Sequence, residues 1–205
     1  HSSDNVSVVH NGIIENSTIL KKILENKGYK FKSQTDTEVI VHLVSDYLKK
    51  NNLKNTIIKV LKKLHGSFAL GIIFKDQPDL IVGARRGSPL AVGYGPGEHY
   101  LGSDSYALKS MTNKISYLND GEFCILKKDQ VEFFDSDGIK TNKEVLNLSK
   151  DEQNYEKGQY KYFMAKEIDE QPLTIKNCIN EYIDKHNNEI NIYNFPWKIS
   201  TIKSV

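Results

Sequence analysis

The spacing of apolar residues changes along this chain, from one strand to three helices and then to a series of short strands. Residues 6–10 alternate and are β-branched, which predicts a strand that ends at Asn11 and Gly12. Three helical segments follow, with the sequences STILKKILENKG, TDTEVIVHLVSDYLKK and TIIKVLKKL. Thr35 and Glu38 have the spacing of a capping box, which predicts the start of the second helix.

From residue 66 onward the period shortens to that of β-strands. The runs SFALGIIF, DLIVGA, LAVGYG and HYLGSD are separated by Gly, Pro and Asp, and EFCILKKDQVEFF is typical of a hairpin that turns at residues 127–130. Helices followed by mainly antiparallel strands predict an α+β domain, in which helical and sheet layers cover each other.

The last quarter of the sequence is organised differently. Residues 142–159 are polar and are typical of a surface excursion or linker. Helical periodicity resumes in FMAKEIDEQPLTIKNCINEYI, with an interruption expected at Pro172, and NIYNFPWKISTIKSV begins another strand-like run. We therefore expect one domain over residues 1–150, and a closing helix with a connector over residues 151–205.

Composition and charge narrow the possible classes of protein. A chain of 205 residues with 39% apolar content is long enough for one globular domain with a genuine core. The 28 basic and 26 acidic side chains give a net charge of +2, which is too small to indicate nucleic-acid binding. No apolar run approaches the roughly 20 residues of a membrane-spanning helix, and no signal peptide is visible, so we expect a soluble cytoplasmic protein.

The two cysteines are expected to be structural. Cys124 and Cys178 have neither CxxC spacing nor a nearby histidine, which argues against a zinc site or a disulfide scaffold, and we expect no metal or other cofactor. Each lies in an apolar pattern, so we expect both to be small, buried and unreactive core residues.

We expect no catalytic or ligand-binding role for two histidines and two adjacent arginines. His10 and His42 lie on apolar elements without a ligand set nearby, so we expect structural roles for both. Arg85 and Arg86 precede the sequence GSPL and suggest a phosphate contact. Because no glycine-rich cradle or helix start accompanies them, we expect a solvated turn there.

The pair Asn11-Gly12, between two pairs of aliphatic residues, allows two interpretations. An Asn-Gly pair favours a type I′ hairpin turn. A carboxamide NH₂ beside a flexible glycine N–H can also form a two-donor oxyanion hole, in which each donor lowers the barrier by about 3 kcal/mol. In that case glycine leaves room for the substrate.

Asp36 in the sequence TDTEV likewise has two interpretations. A carboxylate in the first turn of a helix is common, because the helix dipole stabilises its charge. An ionised carboxylate at the rim of a pocket is also the group that binds the α-ammonium of an amino-acid substrate.

Seven segments of the sequence follow one another as they do in one enzyme family. They are VVHNGIIEN, KGYKFKSQTDTEVIVHLV, GSFALGIIF, GARRGSPLAVG, LGSDSYAL, YLNDGE and YFMAKEIDEQP. In these segments the chain resembles the glutamine–fructose-6-phosphate aminotransferase, or glucosamine-6-phosphate synthase, family. Other amidotransferases of the N-terminal-nucleophile class, such as those of purine or asparagine pathways, share the Asn-Gly pair. They match the amino-acid sequences of the other segments less well.

The resemblance implies the four-layer αββα fold of an N-terminal-nucleophile hydrolase-like glutaminase domain. It implies that Asn11 and Gly12 are the oxyanion donors, and that Asp36 binds the amino group of L-glutamine. The family enzyme is a homodimer that releases ammonia from L-glutamine with an N-terminal cysteine. Its separate sugar-isomerase domain uses that ammonia to convert D-fructose 6-phosphate to D-glucosamine 6-phosphate.

Three parts of the family pattern have no counterpart in this sequence. The nucleophilic cysteine and an Arg-Trp-Ala-Thr-His-Gly segment precede the equivalent of His1, and the sugar-phosphate domain follows the equivalent of Val205. We therefore expect a glutaminase domain truncated at its N-terminus, which is one piece of a hexosamine-synthesis enzyme. The alternative is a catalytically inactive remnant of a split or decaying gene that at most binds glutamine or a partner polypeptide.

Overall fold

The computed structural model describes residues 1–148, 157–184 and 189–190. It divides the chain into two compact units, His1–Lys150 and Asp151–Val205. In chain order the elements of the first unit are β1 Val6–Ile14, α1 Ser17–Asn26, α2 Asp36–Leu48, α3 Leu53–Lys63, β2 Gly66–Phe74, β3 Gln77–Arg86, β4 Ala91–Gly95, β5 Glu98–Gly102, α4 Ser105–Leu108, β6 Lys114–Tyr117, β7 Phe123–Lys127, β8 Gln130–Phe134, β9 Lys140–Thr141 and β10 Leu146–Asn147.

These strands form two antiparallel sheets. The larger sheet has the strand order β1-β2-β3-β7-β8-β9, and the smaller has the order β10-β6-β4-β5. Strand β1 pairs with β2 over its whole length, from Val6 opposite Phe74 to Ile14 opposite Gly66. Within the described part of the chain, β1 is therefore an edge strand of the sheet: residues 1–3 bridge to its start, and its outer side beyond Val8 is not paired with another strand.

The first unit has four layers, helix, sheet, sheet and helix, with an apolar core between each neighbouring pair. Helices α1 to α3 pack on one face of the six-stranded sheet around residues such as Ile40 and Phe68. The second core, with Cys124 and Leu126, lies between the two sheets, and the third joins α4 to the smaller sheet through Leu108. This order of helix, sheet, sheet and helix confirms the α+β, four-layer αββα class expected from the sequence.

Periodicity explains why the three long helices of this unit form where they do. The buried residues of α1 are Leu20 and Leu24, four positions apart, and those of α3 include Ile57 and Val60. Apolar residues at this spacing lie on one helical face, and the larger sheet covers that face. Among the described residues, none of the helices combines the length and apolarity that a membrane-spanning helix needs.

The described residues of the second unit form one long helix and a small hairpin. The helix is α5 Phe163–Tyr182, and the hairpin pairs β11 Ile183–Asp184 with β12 Glu189–Ile190. Helix α5 is continuous through Pro172, so the expected interruption is wrong. Cys178 is exposed because α5 buries none of its side chains, so its expected core position is wrong as well. The strand-like run over residues 191–205 lies outside the described residues.

Candidate functional site

The unpaired side of β1 carries main-chain groups between two flanking contacts. Near the start of the strand, Val8 exchanges two main-chain hydrogen bonds with His1, with N···O distances of 2.8 and 2.9 Å. At its end, the N–H of Ile14 donates to Oδ2 of Asp36 at 2.7 Å. Because the main-chain groups of an antiparallel strand alternate between its two sides, the N–H and C=O of Gly12 face this same side.

Gly12 lies inside β1 rather than in a turn. It has φ of +121° and stands opposite Phe68 of β2. A Cβ built on Gly12 would lie only 2.1 Å from the main-chain oxygen of Ser67. The expected strand end at Asn11 and Gly12, and with it the hairpin-turn interpretation, is wrong. Glycine is required here by its backbone conformation and by the close approach of β2.

Asn11 presents its side chain on the accessible face of β1. Successive side chains of a strand point to opposite faces, and Ile14 is buried on the face that the helices cover. Val9 and Ile13 lie on the other face and are 73% and 66% exposed. Asn11 shares that face and is exposed too. Its exposed carboxamide thus belongs to the residue that directly precedes the outward-facing N–H of Gly12.

Asp36 is the first residue of α2 and joins this helix to β1. One carboxylate oxygen accepts the hydrogen bond from the N–H of Ile14. The charge is also stabilised by the N-terminal end of the 13-residue helix. The side chain is 26% exposed, so the carboxylate can be reached from solvent. The structure thus brings Asp36 to the strand that carries Asn11 and Gly12.

His10 lies directly behind the Asp36 carboxylate. Its Nδ1 is 3.1 Å from Oγ1 of Thr37 and 3.8 Å from Oδ1 of Asp36. The side chain is 2% exposed, and no hydrogen-bond partner of Nε2 lies among the residues that the structure describes. Burial lowers the pKa of His10, and the charge of Asp36 only partly opposes this effect. The structural role expected for His10 is confirmed, although the sequence gives no sign that the imidazole supports Asp36.

Glu38 does not form the expected capping box with Thr35. Its carboxylate accepts hydrogen bonds from the N–H groups of Lys32 and Ser33 at 2.8 and 2.7 Å, and from the Ser33 hydroxyl at 2.6 Å. Thr35 occupies the cap position with an extended backbone and no side-chain cap hydrogen bond. Glu38 is therefore a buried anchor for the loop before α2, a function that its position in the sequence alone does not reveal.

Cys124 is excluded as a nucleophile at this site. It is fully buried between the two sheets, and burial raises the pKa of its thiol to about 12. The side chain is therefore protonated and inaccessible near neutral pH. The expectation of an inert core residue is confirmed at this position.

Arg85 and Arg86 do not form the expected solvated turn. They end β3, and the guanidinium of Arg86 donates to the carbonyl oxygens of Leu64 and Leu61 at 2.5 and 3.1 Å. These oxygens belong to the C-terminal end of α3, where helices lack main-chain donors. Arg85 also donates to two main-chain oxygens, at 2.9 and 3.1 Å. Both arginines therefore tie loops and a helix end to the larger sheet.

Comparisons of the sequence with known proteins identify one family. The family model described as a glutamine amidotransferase domain matches residues 1–110. The chain is 42% identical to glutamine–fructose-6-phosphate aminotransferase (isomerizing) of Zymomonas mobilis, over 100% of the chain and 34% of that protein. It is 48% identical to the protein of the same name from Mesorhizobium japonicum, over 90% of the chain and 30% of that protein. The chain thus spans about a third of the length of these relatives.

Two solved structures have a related arrangement of sheets and helices. One is glutamine phosphoribosylpyrophosphate amidotransferase from B. subtilis, with a TM-score of 0.53 and 28% identity over 66% of this chain and 30% of its own. The other is described as the allosteric regulatory enzyme of purine biosynthesis, with a TM-score of 0.54 and 26% identity over the same shares. Both support the two-sheet architecture of the first unit.

Proposed function

We propose that this chain, which belongs to the glutamine amidotransferase domain family, forms the glutamine-binding part of a glutamine–fructose-6-phosphate aminotransferase. Its fold is the αββα fold of the N-terminal-nucleophile class. The observation that carries this proposal is the hydrogen bond of 2.7 Å between Ile14 N and Oδ2 of Asp36. It fixes an accessible carboxylate of α2 against the strand that carries Asn11 and Gly12. A single amino-acid ligand can thus contact the Asp36 carboxylate and the hydrogen-bond donors of Asn11 and Gly12.

The spacing of these groups suits an extended glutamine molecule. Two residues of a β-strand span about 6.8 Å, which is the separation of Gly12 and Ile14 along β1. Four bonds separate the α-nitrogen of glutamine from its side-chain carbonyl carbon, a distance of about 5 Å when extended. We propose that Asp36 binds the α-ammonium while the N–H of Gly12 and the carboxamide of Asn11 donate to the carbonyl oxygen.

In this arrangement the two donors act on the reacting bond. A thiolate attacks the amide carbon, and the carbonyl oxygen gains negative charge, which the donors of Asn11 and Gly12 stabilise. The proton that the thiol gave up passes to the leaving nitrogen, so collapse of the intermediate breaks the C–N bond, releases ammonia and leaves a thioester. Water then hydrolyses the thioester to L-glutamate and regenerates the thiol.

The attacking thiol in this proposal does not belong to Cys124, which is buried and protonated. In the N-terminal-nucleophile class the nucleophile is the first residue of its polypeptide, and its own α-amine helps to move the proton. We propose that such a cysteine, outside residues 1–205, completes the site. A chain that lacks it would bind L-glutamine without hydrolysing it.

The names of the relatives support a place for this site in a larger enzyme. Both aminotransferases are named for glutamine and fructose 6-phosphate, and each is about three times as long as this chain. We propose that a sugar-isomerase domain uses the ammonia to convert D-fructose 6-phosphate to D-glucosamine 6-phosphate, in a cytoplasmic homodimer. L-glutamine is then the small-molecule substrate of the part described above.

Asp36→Asn tests this proposal by calorimetric titration of the chain with L-glutamine. Asparagine keeps an oxygen that accepts the hydrogen bond from Ile14, so the fold is retained, but it removes the charge that binds an ammonium group. We expect affinity for L-glutamine to fall about tenfold or more. Asp137→Asn, at an exposed carboxylate on the β8–β9 turn, is the matched control and should leave affinity unchanged.

A second ligand makes the assignment specific to the ammonium group. An analogue of L-glutamine without its α-amino group cannot form the ion pair with Asp36. It should bind the unmodified chain weakly and be indifferent to Asp36→Asn. Equal losses for both ligands, or no loss for L-glutamine, would overturn the proposed contact.

A further inference from the structure

A buried carboxylate that has no place in the proposed chemistry lies two residues after Asp36 in α2. Glu38 is 5% exposed, yet it accepts three hydrogen bonds of 2.6 to 2.8 Å from Lys32 and Ser33. All three donors belong to the loop that leads into α2. A buried anion is costly unless its acceptor sites are filled, and here the loop fills them.

Ser33 also contacts Thr35, the residue before Asp36, and so connects Thr35 to Glu38. Its Oγ lies 3.0 Å from Oγ1 of Thr35 and accepts a hydrogen bond of 3.3 Å from the N–H of Thr35. Thr35 immediately precedes Asp36, the first helical residue. The direction in which the chain enters α2 therefore depends on the contacts of Glu38.

The other end of the same loop is held by a ring cluster next to Glu38. His42 lies one helical turn after Glu38, with Nε2 3.6 Å from Oε1. The imidazole packs against Tyr29 and Phe31, with ring centroids 5.2 and 4.7 Å apart. The structural role expected for His42 is thus confirmed, and it supports residues 29–35 from the same face of α2.

Glu38 stays ionised in this environment. Burial alone would raise its pKa, but the hydrogen bonds from Ser33 and Lys32 and the nearby imidazole of His42 outweigh that effect, so the pKa lies below its usual value. A charged acceptor binds main-chain N–H groups more strongly than a neutral one. The loop is therefore held by charge-assisted hydrogen bonds.

We propose that Glu38 is a positioning residue, which holds the loop of residues 29–35 and thereby aims the Asp36 carboxylate at the N–H of Ile14 and the unpaired side of β1. As a statement about substrate recognition, this inference rests on the proposed function, because it takes Asp36 to be the ammonium-binding group. The positioning itself is a property of the free protein and is measurable without substrate.

Amide hydrogen exchange of the full chain, with Glu38→Gln, tests this inference. Glutamine has the same size but is uncharged, and its NH₂ group cannot accept the hydrogen bonds that the loop donates. We expect the Ile14 amide, whose acceptor is Asp36, to exchange about tenfold faster or more relative to the core amide of Leu70, which reports any change in global stability. Glu38→Asp keeps the charge and should restore part of the protection.

Two further variants keep the test decisive. Glu25→Gln changes an exposed acid on α1 and should leave the Ile14 amide unaffected. If Glu38→Gln unfolds the chain, Ser33→Ala removes the hydroxyl that joins Glu38 to Thr35 and should still speed Ile14 exchange, by about threefold. Faster exchange at Lys32 and Ser33 with an unchanged Ile14 amide would overturn the inference, because the loop and Asp36 would then be independent.

The affinity for L-glutamine separates this inference from the proposed function. If both hold, Glu38→Gln speeds Ile14 exchange and weakens L-glutamine binding about tenfold. If the unmodified chain does not bind L-glutamine but Ile14 still responds to Glu38→Gln, the positioning stands and the proposed function fails. If L-glutamine binds equally well to both forms and Ile14 does not respond, the positioning alone fails.

Discussion

Gly12 is the residue at which the candidate site and the fold depend on the same backbone conformation. Because its φ is +121° and the Ser67 oxygen lies 2.1 Å from a Cβ placed there, Gly12→Ala adds both backbone strain and a clash with β2. We expect the free energy of unfolding in urea to fall by about 3 kcal/mol. Gly28→Ala is the matched control, since Gly28 has φ of +89° but no atom within 4 Å of a Cβ. Its loss should be about 1 kcal/mol. Equal losses would show that the contact with Ser67 is unimportant.

His10 gives the stability of the chain a pH dependence with a defined sign. Its folded-state pKa lies below the ordinary value of 6.5, so the unfolded chain binds the proton more tightly. Stability is therefore full above pH 6.5 and falls as pH decreases toward the lowered pKa. We expect His10→Leu to lose less stability than the unmodified chain between about pH 7.5 and about pH 5.5, in urea unfolding. Parallel losses in the two proteins would contradict this account.

The sequence suggests which residues are candidates for the site, but it does not predict the contacts that those residues make. The family resemblance selects Asn11, Gly12 and Asp36, and in the structure Asn11 and Gly12 lie on β1 while Asp36, on α2, is hydrogen-bonded to Ile14 of that strand. The reason for Gly12 is missed, because a glycine in a turn and one opposed by a distant strand have the same local sequence. The anchoring by Glu38 is missed too, since a capping box and a loop anchor share the same spacing.

Among the elements, α3 is tied to the larger sheet through its C-terminal end. Arg86 donates to the oxygens of Leu61 and Leu64 from two nitrogens of one planar group. Arg86→Lys keeps the charge but lacks that fork, so we expect unfolding free energy to fall by about 1 to 2 kcal/mol. Lys128→Gln, at the exposed β7–β8 turn, is the control and should cost less than about 0.5 kcal/mol. A comparable loss in the control would remove the argument for a helix-end contact.

Periodicity predicts the existence of the elements but not their ends. The three helical segments and strands β2 to β5, β7 and β8 form as expected, because apolar spacing reports burial on one face. Helix α4 and strand β6 are not predicted, because each has only four residues. Their limits depend on groups outside that pattern. Helix α3 begins at Leu53 because the Asn52 side chain accepts a hydrogen bond from the N–H of Asn55 at 2.9 Å. Strand β1 continues to Ile14 because β2 pairs with it to that point.

On the scale of the whole first unit, part of the larger sheet is left uncovered among the described residues. Val9, Ile13 and Ile73 lie on neighbouring strands and are 52% to 73% exposed. An apolar face beside an edge strand favours association between chains. We expect sedimentation velocity to show self-association that rises with concentration and weakens in Ile13→Lys. Ile19→Lys, on the exposed side of α1, should not weaken it. Equal effects would place the contact elsewhere.

The layered architecture can be predicted from the sequence mainly because of the order of its motifs. Hairpins such as β2–β3, β4–β5 and β7–β8 join neighbours in sequence, so alternation and turn residues predict them. The pairing of β3 with β7, and of β4 with β6, crosses intervening elements, so local patterns cannot determine it. The resemblance to a known family implies the layered fold, and the structure and the family match confirm it.

The measurement that tests the central claim most directly is a titration of the isotope-labelled chain with L-glutamine, followed by NMR. The claim is that the unpaired side of β1 and the Asp36 carboxylate receive one molecule of L-glutamine. We predict saturable shifts of the Gly12 and Ile14 amide signals with L-glutamine, and much smaller shifts with D-glutamine. Unchanged Gly12 and Ile14 signals at saturating L-glutamine would contradict the account.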